Sequence, residues 1–138
     1  FLMSLDESVA LVQYAFENAE PGDLFIRKAR ASTIEDLAKA VAMVMGVEPQ
    51  IQIIGTRHGE KMYESLLSRE EMAEAEDRGD YYRVPLDARS LDYGLYVEEG
   101  GHQVEHESDY TSHNTQQLTE EEVAALLENL PEMREALA

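Results

Sequence analysis

Hydrophobic residues recur at helical spacing in several stretches of the chain, and each stretch begins with a polar residue suited to cap a helix. A Ser or Thr followed three residues later by Glu forms a capping box, which satisfies two backbone N–H groups that the helix itself leaves unpaired. Four such pairs predict four helices, which begin at Ser4, Ser32, Ser68 and Thr119.

The predicted helices differ in their ends and in their apolar faces. The first is expected to end before Pro21-Gly22, the second at Gly46, the third at Arg78-Gly79 and the last at Pro131. Residues four and seven positions apart share a helix face, so the first helix has one apolar face. That face consists of Leu5, Val9, Val12 and Phe16. The last helix is expected to turn its apolar side chains inward, namely Val123, Leu126, Leu127 and Leu130.

Strand signals lie between these helices. Runs of β-branched and aromatic residues predict strands at Leu24–Lys28 and Gln50–Gly55, and a weaker one at Tyr81–Pro85. Helices and strands that alternate along the chain are typical of an α/β fold, although these elements are short for an independent doubly wound sheet.

The chain is expected to divide near residue 90. Residues 1–90 carry most of the predicted elements, and residues 91–138 are expected to form an irregular arm followed by a helix. No period holds from Leu91 to Gln117, which is long for a structureless loop in a compact domain. Because this stretch holds Tyr93, Tyr96 and Tyr110, we expect it to pack against another lobe or a neighbouring subunit.

Composition narrows the possible functions. The 138 residues are 43% hydrophobic, which suffices for one globular core, and their net charge is −18. This charge excludes general nucleic-acid binding, which needs clustered cations, and it disfavours anionic membrane surfaces. There is no apolar run of the ~20 residues that a membrane span requires. The absence of cysteine excludes disulfides and zinc sites built on sulfur, and we expect a cytoplasmic protein.

Charge is distributed unevenly between the two halves of the chain. Residues 1–69 carry seven basic and ten acidic side chains, whereas residues 70–138 carry four basic and nineteen acidic ones. An anionic ligand is therefore expected to bind to the first half, and the acidic second half suits solvation or a basic partner.

The run Ile53–Glu64 carries the most informative chemistry. It is expected to contain a strand end, a glycine-punctuated turn with charged side chains, and then an apolar-periodic helix. A guanidinium at this position suits a diphosphate, because its planar fork donates two parallel hydrogen bonds. Arg57 could thus bind a diphosphate, while Glu60 accepts hydrogen bonds from a ribose diol. The alternative is that the two side chains simply pair with each other at a surface turn.

Several stretches of the chain together resemble the C-terminal region of extended short-chain dehydrogenase/reductases that act on UDP-sugars. The resemblance is greatest to the inverting UDP-N-acetylglucosamine 4,6-dehydratase/5-epimerase group of capsule and O-antigen synthesis, often labelled UDP-glucose 4-epimerase-like. The stretches that carry it are Phe1–Val9, Ile54–Leu67, Ser68–Met72, Gly79–Pro85 and Tyr110–Thr115. They cover most of the chain in the right order.

The resemblance implies roles for particular residues. In this superfamily an Arg followed three residues later by an acidic residue contacts the nucleotide diphosphate and its ribose, and here that pattern falls on Arg57 and Glu60. Arg83 is a second candidate for phosphate binding. The chain contains no Gly-x-x-Gly-x-x-Gly and no Tyr-x-x-x-Lys, so no catalytic or cofactor-binding residue is expected in it. It is expected to be the small substrate-binding lobe of such an enzyme, with the Rossmann lobe absent from this chain.

The whole enzyme implied by the resemblance would use NADP(H), bound outside this chain, and no metal. It would oxidise C4 of a UDP-N-acetylhexosamine, eliminate water and return the hydride with inversion at C5, and it would form a homo-oligomer. Because Phe1-Leu2-Met3-Ser4 is not a usual protein start, we expect a fragment of a longer protein. A UDP-glucose or UDP-N-acetylglucosamine 4-epimerase is the first alternative, and a standalone acidic protein-interaction domain is the second.

The remaining candidate residues are predicted to be structural. The four histidines lie where no helical period supports a shared face, so they are expected to be solvated loop side chains and not metal ligands. Ser112-His113-Asn114 places a hydroxyl beside an imidazole, but adjacent residues rarely point at one another. The resemblance implies a structural or subunit-contact role for that segment.

Overall fold

The structure, a computed structural model, describes residues 1–86 and 108–137. The chain forms two compact units, each built from segments that are distant in sequence. The helical unit comprises Phe1–Ser4, Ala29–Glu64 and Ser112–Ala138. The sheet unit comprises Leu5–Lys28 and Ser65–Thr111.

The helical unit is built around a pair of helices. Its helices are α2 (Ile34–Val44), α4 (Glu120–Glu128) and α5 (Pro131–Ala136). The α2 and α4 helices pack against each other, and small and β-branched side chains from both form a hydrophobic core with Leu118, which precedes α4. The buried members of this core are Ala40, Leu118, Val123 and Ala124.

The helix caps of this unit largely agree with those predicted from the sequence. The predicted capping box of α4 is confirmed, since Thr119 and Glu122 each bond the backbone of the other. The predicted start of α2 is wrong by one residue, because Thr33 is the N-cap. Its hydroxyl accepts from the backbone N–H of Asp36 at 3.0 Å and donates to the Asp36 carboxylate at 2.6 Å. This reciprocal pair makes Thr33 the better cap.

The sheet unit contains two small antiparallel sheets and two helices. Strands β1 (Leu24–Arg27), β4 (Tyr81–Val84) and β3 (Glu76–Asp77) form one sheet in the order β1-β4-β3. Strands β2 (Ser65–Leu67) and β5 (Tyr110–Thr111) form the other. The two helices of the unit are α1 (Leu5–Asn18) and α3 (Arg69–Glu74). The predicted α/β class is confirmed, as are the strands that begin at Leu24 and Tyr81.

The third predicted helix is correct at its start and wrong at its end. Ser68 and Glu71 form the predicted capping box of α3, with hydrogen bonds of 3.2 and 2.8 Å. The helix ends at Glu74, well before Arg78-Gly79, because the next residues form β3 and pair with β4. Tertiary pairing has here overridden the local helical pattern.

Two predicted elements around the candidate site are absent. Gln50–Gly55 does not form a strand, and the residues that follow Gly59 do not form a helix. A strand needs a neighbour that accepts and donates its backbone hydrogen bonds, and no other described segment pairs with Gln50–Gly55. The side chains of Ile53 and Ile54 are accordingly 85% and 69% exposed.

The apolar face of α1 lies on the surface of the sheet unit. Its four predicted members, Leu5, Val9, Val12 and Phe16, are all exposed, and Phe16 is 87% exposed. A stripe of this kind exceeds the scattered apolar residues of an ordinary surface and is typical of a face that another body covers.

Most of the predicted arm lies outside the described residues. Of the stretch from Leu91 to Gln117, the structure describes residues 108–117, and these are not wholly irregular because Tyr110–Thr111 form β5. The predicted division at residue 90 also lies outside the described residues and stays a prediction.

Candidate functional site

The residues Gly55–Glu64, called the Arg57 loop below, form an exposed loop of the helical unit. Its centre is a four-residue turn in which the backbone N–H of Glu60 donates to the carbonyl of Arg57 at 3.1 Å. Gly59 occupies the third position of this turn with a φ of 81°, which type II turns need and which L-residues with side chains adopt only with strain. The sequence therefore specifies a sharp turn here.

Glu60 stabilises this turn with its side chain. Its carboxylate oxygen Oε2 accepts from the backbone N–H of Arg57 at 2.8 Å. This hydrogen bond links the last residue of the turn back to the first. The alternative considered from the sequence, a direct pairing of the Arg57 and Glu60 side chains, is not formed. Within the described residues, the Arg57 guanidinium makes no hydrogen bond or ion pair.

The charged centre of the Arg57 loop is flanked by apolar side chains. Ile53 and Ile54 precede it, Met62 and Tyr63 follow it, and all four are exposed. Lys61 adds a second cation, which lies 3.7 Å from the Glu64 carboxylate. A fork of hydrogen-bond donors beside exposed apolar groups suits a ligand that combines an anion with an apolar or aromatic part, as nucleotides do.

Ser112 holds the C-terminal end of this loop. The backbone N–H of Glu64 donates to Ser112 Oγ at 3.0 Å, and the backbone N–H of Ser112 donates to the carbonyl of Glu64 at 2.8 Å. Nearby, the rings of Tyr63 and His113 are 6.1 Å apart. The family resemblance implied only a structural or subunit-contact role for this segment. The paired residues are 48 positions apart, so no local pattern could have joined them.

Arg83 lies in the sheet unit, whereas Arg57 and Glu60 lie in the helical unit. Its Nε donates to the Asp23 carboxylate at 2.6 Å, and its Nη1 lies 3.3 Å from the Glu76 carboxylate. The Arg83 side chain is 18% exposed and that of Asp23 only 2%. This guanidinium therefore ties β4 to the turn before β1 and to β3.

The ion pair between Asp23 and Arg83 leads to a prediction about acid stability. The Arg83 guanidinium, helped by the backbone N–H of Glu20, lowers the pKa of the Asp23 carboxyl below its ordinary value. A carboxyl whose pKa is lowered by folding contributes stability above its unfolded pKa of about 4, and this contribution is lost as the pH falls through the lower, folded pKa. Asp23→Asn should thus lower the melting temperature by a few degrees at pH 7, and the difference from wild type should narrow below pH 4.

The control for this measurement is Glu20→Gln, which makes the same change of charge three residues away at an exposed side chain. It should melt like the wild type at every pH. Melting curves of the wild type and both variants, followed by circular dichroism between pH 3 and 7, test whether the ion pair with Arg83 stabilises the fold. A difference between Asp23→Asn and wild type that is equally large at both ends of this range would contradict an ion-pair origin.

The described residues hold neither a metal-binding cluster nor a membrane-spanning helix. In residues 1–86 and 108–137, no three His, Asp or Glu side chains cluster closely enough to hold a metal ion. No helix in the same ranges is both long and apolar enough to cross a membrane.

The described residues thus form two small units of α/β class, one of which carries an exposed arginine turn. A family model described as "Polysaccharide biosynthesis protein" matches residues 1–86, and a second, described as "Polysaccharide biosynthesis protein C-terminal", matches residues 87–134. The chain belongs to this polysaccharide biosynthesis protein family. The resemblance to the C-terminal region of extended short-chain dehydrogenase/reductases is confirmed by these matches and by the relatives.

Curated relatives match almost the entire chain. A protein of Rickettsia bellii named "UDP-glucose 4-epimerase" is 56% identical over 137 residues, which are 99% of this chain and 40% of that protein. A protein of the same name from Rickettsia felis is 55% identical over the same shares. Among solved structures, the X-ray structure of Pen from Bacillus thuringiensis matches 94% of this chain and 36% of its own, with 26% identity and a TM-score of 0.71. The chain thus spans about two fifths of the length of the curated relatives it matches.

Proposed function

We propose that this chain is the substrate-binding C-terminal part of a nucleotide-sugar-modifying enzyme of bacterial surface polysaccharide biosynthesis. The reaction type that we propose is that of the UDP-N-acetylglucosamine 4,6-dehydratases/5-epimerases. The observation that carries the proposal is the Arg57 guanidinium, which projects from a fixed turn without a partner among the described residues. The family match and the names of the relatives supply the class of ligand.

In this proposal the Arg57 loop binds the UDP moiety. The Arg57 guanidinium contacts the diphosphate with two parallel hydrogen bonds, the arrangement that makes arginine suitable for phosphate recognition. Glu60 accepts from the ribose. Its Oε2 is already bonded to the backbone of Arg57, so it offers the other carboxylate oxygen, Oε1. Arg83, in the sheet unit, is the weaker candidate for phosphate binding, because two of its three guanidinium nitrogens are bonded to Asp23 and Glu76.

In this proposal, the cofactor NADP(H) binds to a part of the complete protein outside this chain. Phosphates of dinucleotides bind at a glycine-rich turn between a strand and a helix. In the described part of the chain, β1 is joined to α2 by Lys28–Thr33 and β2 to α3 by Ser68, and neither link contains glycine. The described residues therefore do not fit this cofactor. Hydride transfer and elimination of water belong to a Rossmann lobe contributed by the rest of the complete protein.

The exposed face of α1 supports the idea that this region is part of a larger body. Its four apolar side chains are exposed in the described structure, and the relatives are more than twice as long as the chain. A face of this kind could equally serve a separate acidic interaction domain. The relatives' common name is that of an enzyme, which favours the enzymatic reading. We also propose that the complete enzyme forms a homo-oligomer.

The second candidate function is a 4-epimerase, which the name of the relatives favours. Product analysis with the complete protein separates the two. With UDP-N-acetylglucosamine and NADP, a dehydratase gives a keto sugar nucleotide that is lighter by one water molecule. An epimerase gives UDP-N-acetylgalactosamine of unchanged mass. We expect the lighter product by mass spectrometry, with heat-denatured protein as control. An isomer of unchanged mass, separated from the substrate by chromatography, would establish the epimerase instead, and no product from either UDP-N-acetylglucosamine or UDP-glucose would contradict both.

A further inference from the structure

The Arg57 loop has little internal support for the orientation of its arginine. All residues from 51 to 66 are exposed, and none from 51 to 64 belongs to a helix or strand. The turn between Arg57 and Glu60 fixes the local backbone but does not tie it to the rest of the helical unit. The direction in which the guanidinium points therefore depends on how the ends of the loop are held.

The C-terminal end is held by Ser112 through two hydrogen bonds. Its Oγ accepts from the backbone N–H of Glu64 at 3.0 Å, and its own N–H donates to the Glu64 carbonyl at 2.8 Å. Ser112 is half-buried, whereas Glu64 is exposed. The hydroxyl bond is the one that a side-chain substitution can remove, while the backbone bond remains.

Ser112 is in turn connected to the buried part of the helical unit. Its carbonyl accepts from the side-chain amide of Gln117 at 2.8 Å. On either side of Gln117, the backbone N–H of Ala31 donates to the Gln116 carbonyl at 2.9 Å, and that of Leu118 donates to the Ala31 carbonyl at 2.8 Å. Ala31 is 1% exposed and Leu118 5%. A short path of hydrogen bonds thus runs from the core to the end of the Arg57 loop.

We propose that Ser112 is a positioning residue for diphosphate binding by Arg57, which rests on the function proposed above. Ser112 does not touch the ligand. Its hydroxyl restricts the end of the loop, so that less conformational entropy is lost when the guanidinium meets the diphosphate. Bidentate contacts are sensitive to such placement, because both parallel hydrogen bonds require a defined orientation of the fork.

The test measures the dissociation constant of UDP for the complete protein by calorimetric titration. Ser112→Ala removes one neutral hydrogen bond, and we expect UDP binding to weaken roughly three- to tenfold. The amide of Glu64 should also exchange faster with deuterium. Ser112→Thr keeps the hydroxyl and should restore both values. The matched control is Ser32→Ala, which removes a serine hydroxyl bonded to the Thr33 carbonyl of the same unit and should bind UDP like the wild type.

Measuring Arg57→Ala in parallel separates this inference from the proposed function. If Ser112→Ala binds UDP like the wild type while Arg57→Ala binds it weakly, the positioning role is overturned and the proposed function stands. If Arg57→Ala binds UDP like the wild type, the positioning role and the placement of the UDP site at Arg57 are both overturned. A lower melting temperature of Ser112→Ala without a change in UDP affinity also overturns the positioning role, because it would show that the hydroxyl serves stability alone.

Discussion

No product above background is expected when the 138-residue chain alone is incubated with UDP-N-acetylglucosamine and NADP. The chain contains neither a Gly-x-x-Gly-x-x-Gly fingerprint nor a Tyr-x-x-x-Lys pair, and its described strand-to-helix links have no glycine. The described residues thus offer no glycine turn for the cofactor that we propose to accept the hydride from C4. The expected effect is therefore a complete loss of turnover relative to the complete protein, whatever the affinity of the Arg57 loop for UDP.

Chromatographic separation followed by mass spectrometry of the reaction mixture checks this expectation, because together they detect both a lighter product and an isomer of unchanged mass. The complete protein at equal molar concentration is the positive control, and the heat-denatured chain defines the background. Circular dichroism should show that the isolated chain is folded, so that inactivity is not a consequence of unfolding. Turnover by the folded chain above background would mean that its own residues carry out the chemistry, and the assignment of this region to substrate binding would fail.

Local signals in the sequence were sufficient for much of the fold. The capping boxes at Ser68 and Thr119 are present, and strands begin at Leu24 and Tyr81 as predicted. A cap is specified by residues within one turn of helix, so its pattern is readable without knowledge of the rest of the chain. The start of α2 was misplaced by one residue because Ser32 and Thr33 are both acceptable caps, and only the bond to Asp36 distinguishes them.

Signals that depend on distant residues could not be read in the same way. Gln50–Gly55 has the composition of a strand, but composition cannot supply the neighbouring strand that its backbone would need. The early end of α3 has the same origin, since Glu76–Asp77 pair with β4. The face of α1 was correctly recognised as apolar, yet only the structure shows that it is exposed.

In the candidate site, too, local features were predictable from the sequence and contacts between distant residues were not. The glycine in the turn and the spacing of Arg57 and Glu60 are local, and they indicated both the turn and the charged groups on it. That Glu60 bonds the backbone of Arg57 and not its guanidinium depends on the geometry of the closed turn. The attachment of the loop to Ser112 joins residues 48 positions apart, which a single sequence cannot reveal.

Replacement of Arg57 by alanine should weaken UDP binding by the complete protein about ten- to a hundredfold. A charge-assisted bidentate contact contributes roughly 1.5–3 kcal/mol, and each 1.4 kcal/mol corresponds to a factor of about ten. Arg57→Lys should recover part of this loss, since it keeps the charge but not the planar fork. Calorimetric titration with UDP gives the dissociation constants directly and does not depend on the identity of the sugar.

Lys61→Ala is the matched control for the Arg57 variants. Lys61 carries the same charge four residues away in the same loop, but its ammonium lies 3.7 Å from the Glu64 carboxylate and lacks a fork. A loss much smaller than that of Arg57→Ala would show that directed hydrogen bonds, and not the net charge of the loop, hold the diphosphate. Equal losses in the two variants would point to general electrostatic attraction. An unchanged affinity in Arg57→Ala would leave Arg57 as an ordinary surface arginine, and the site would have to be sought elsewhere.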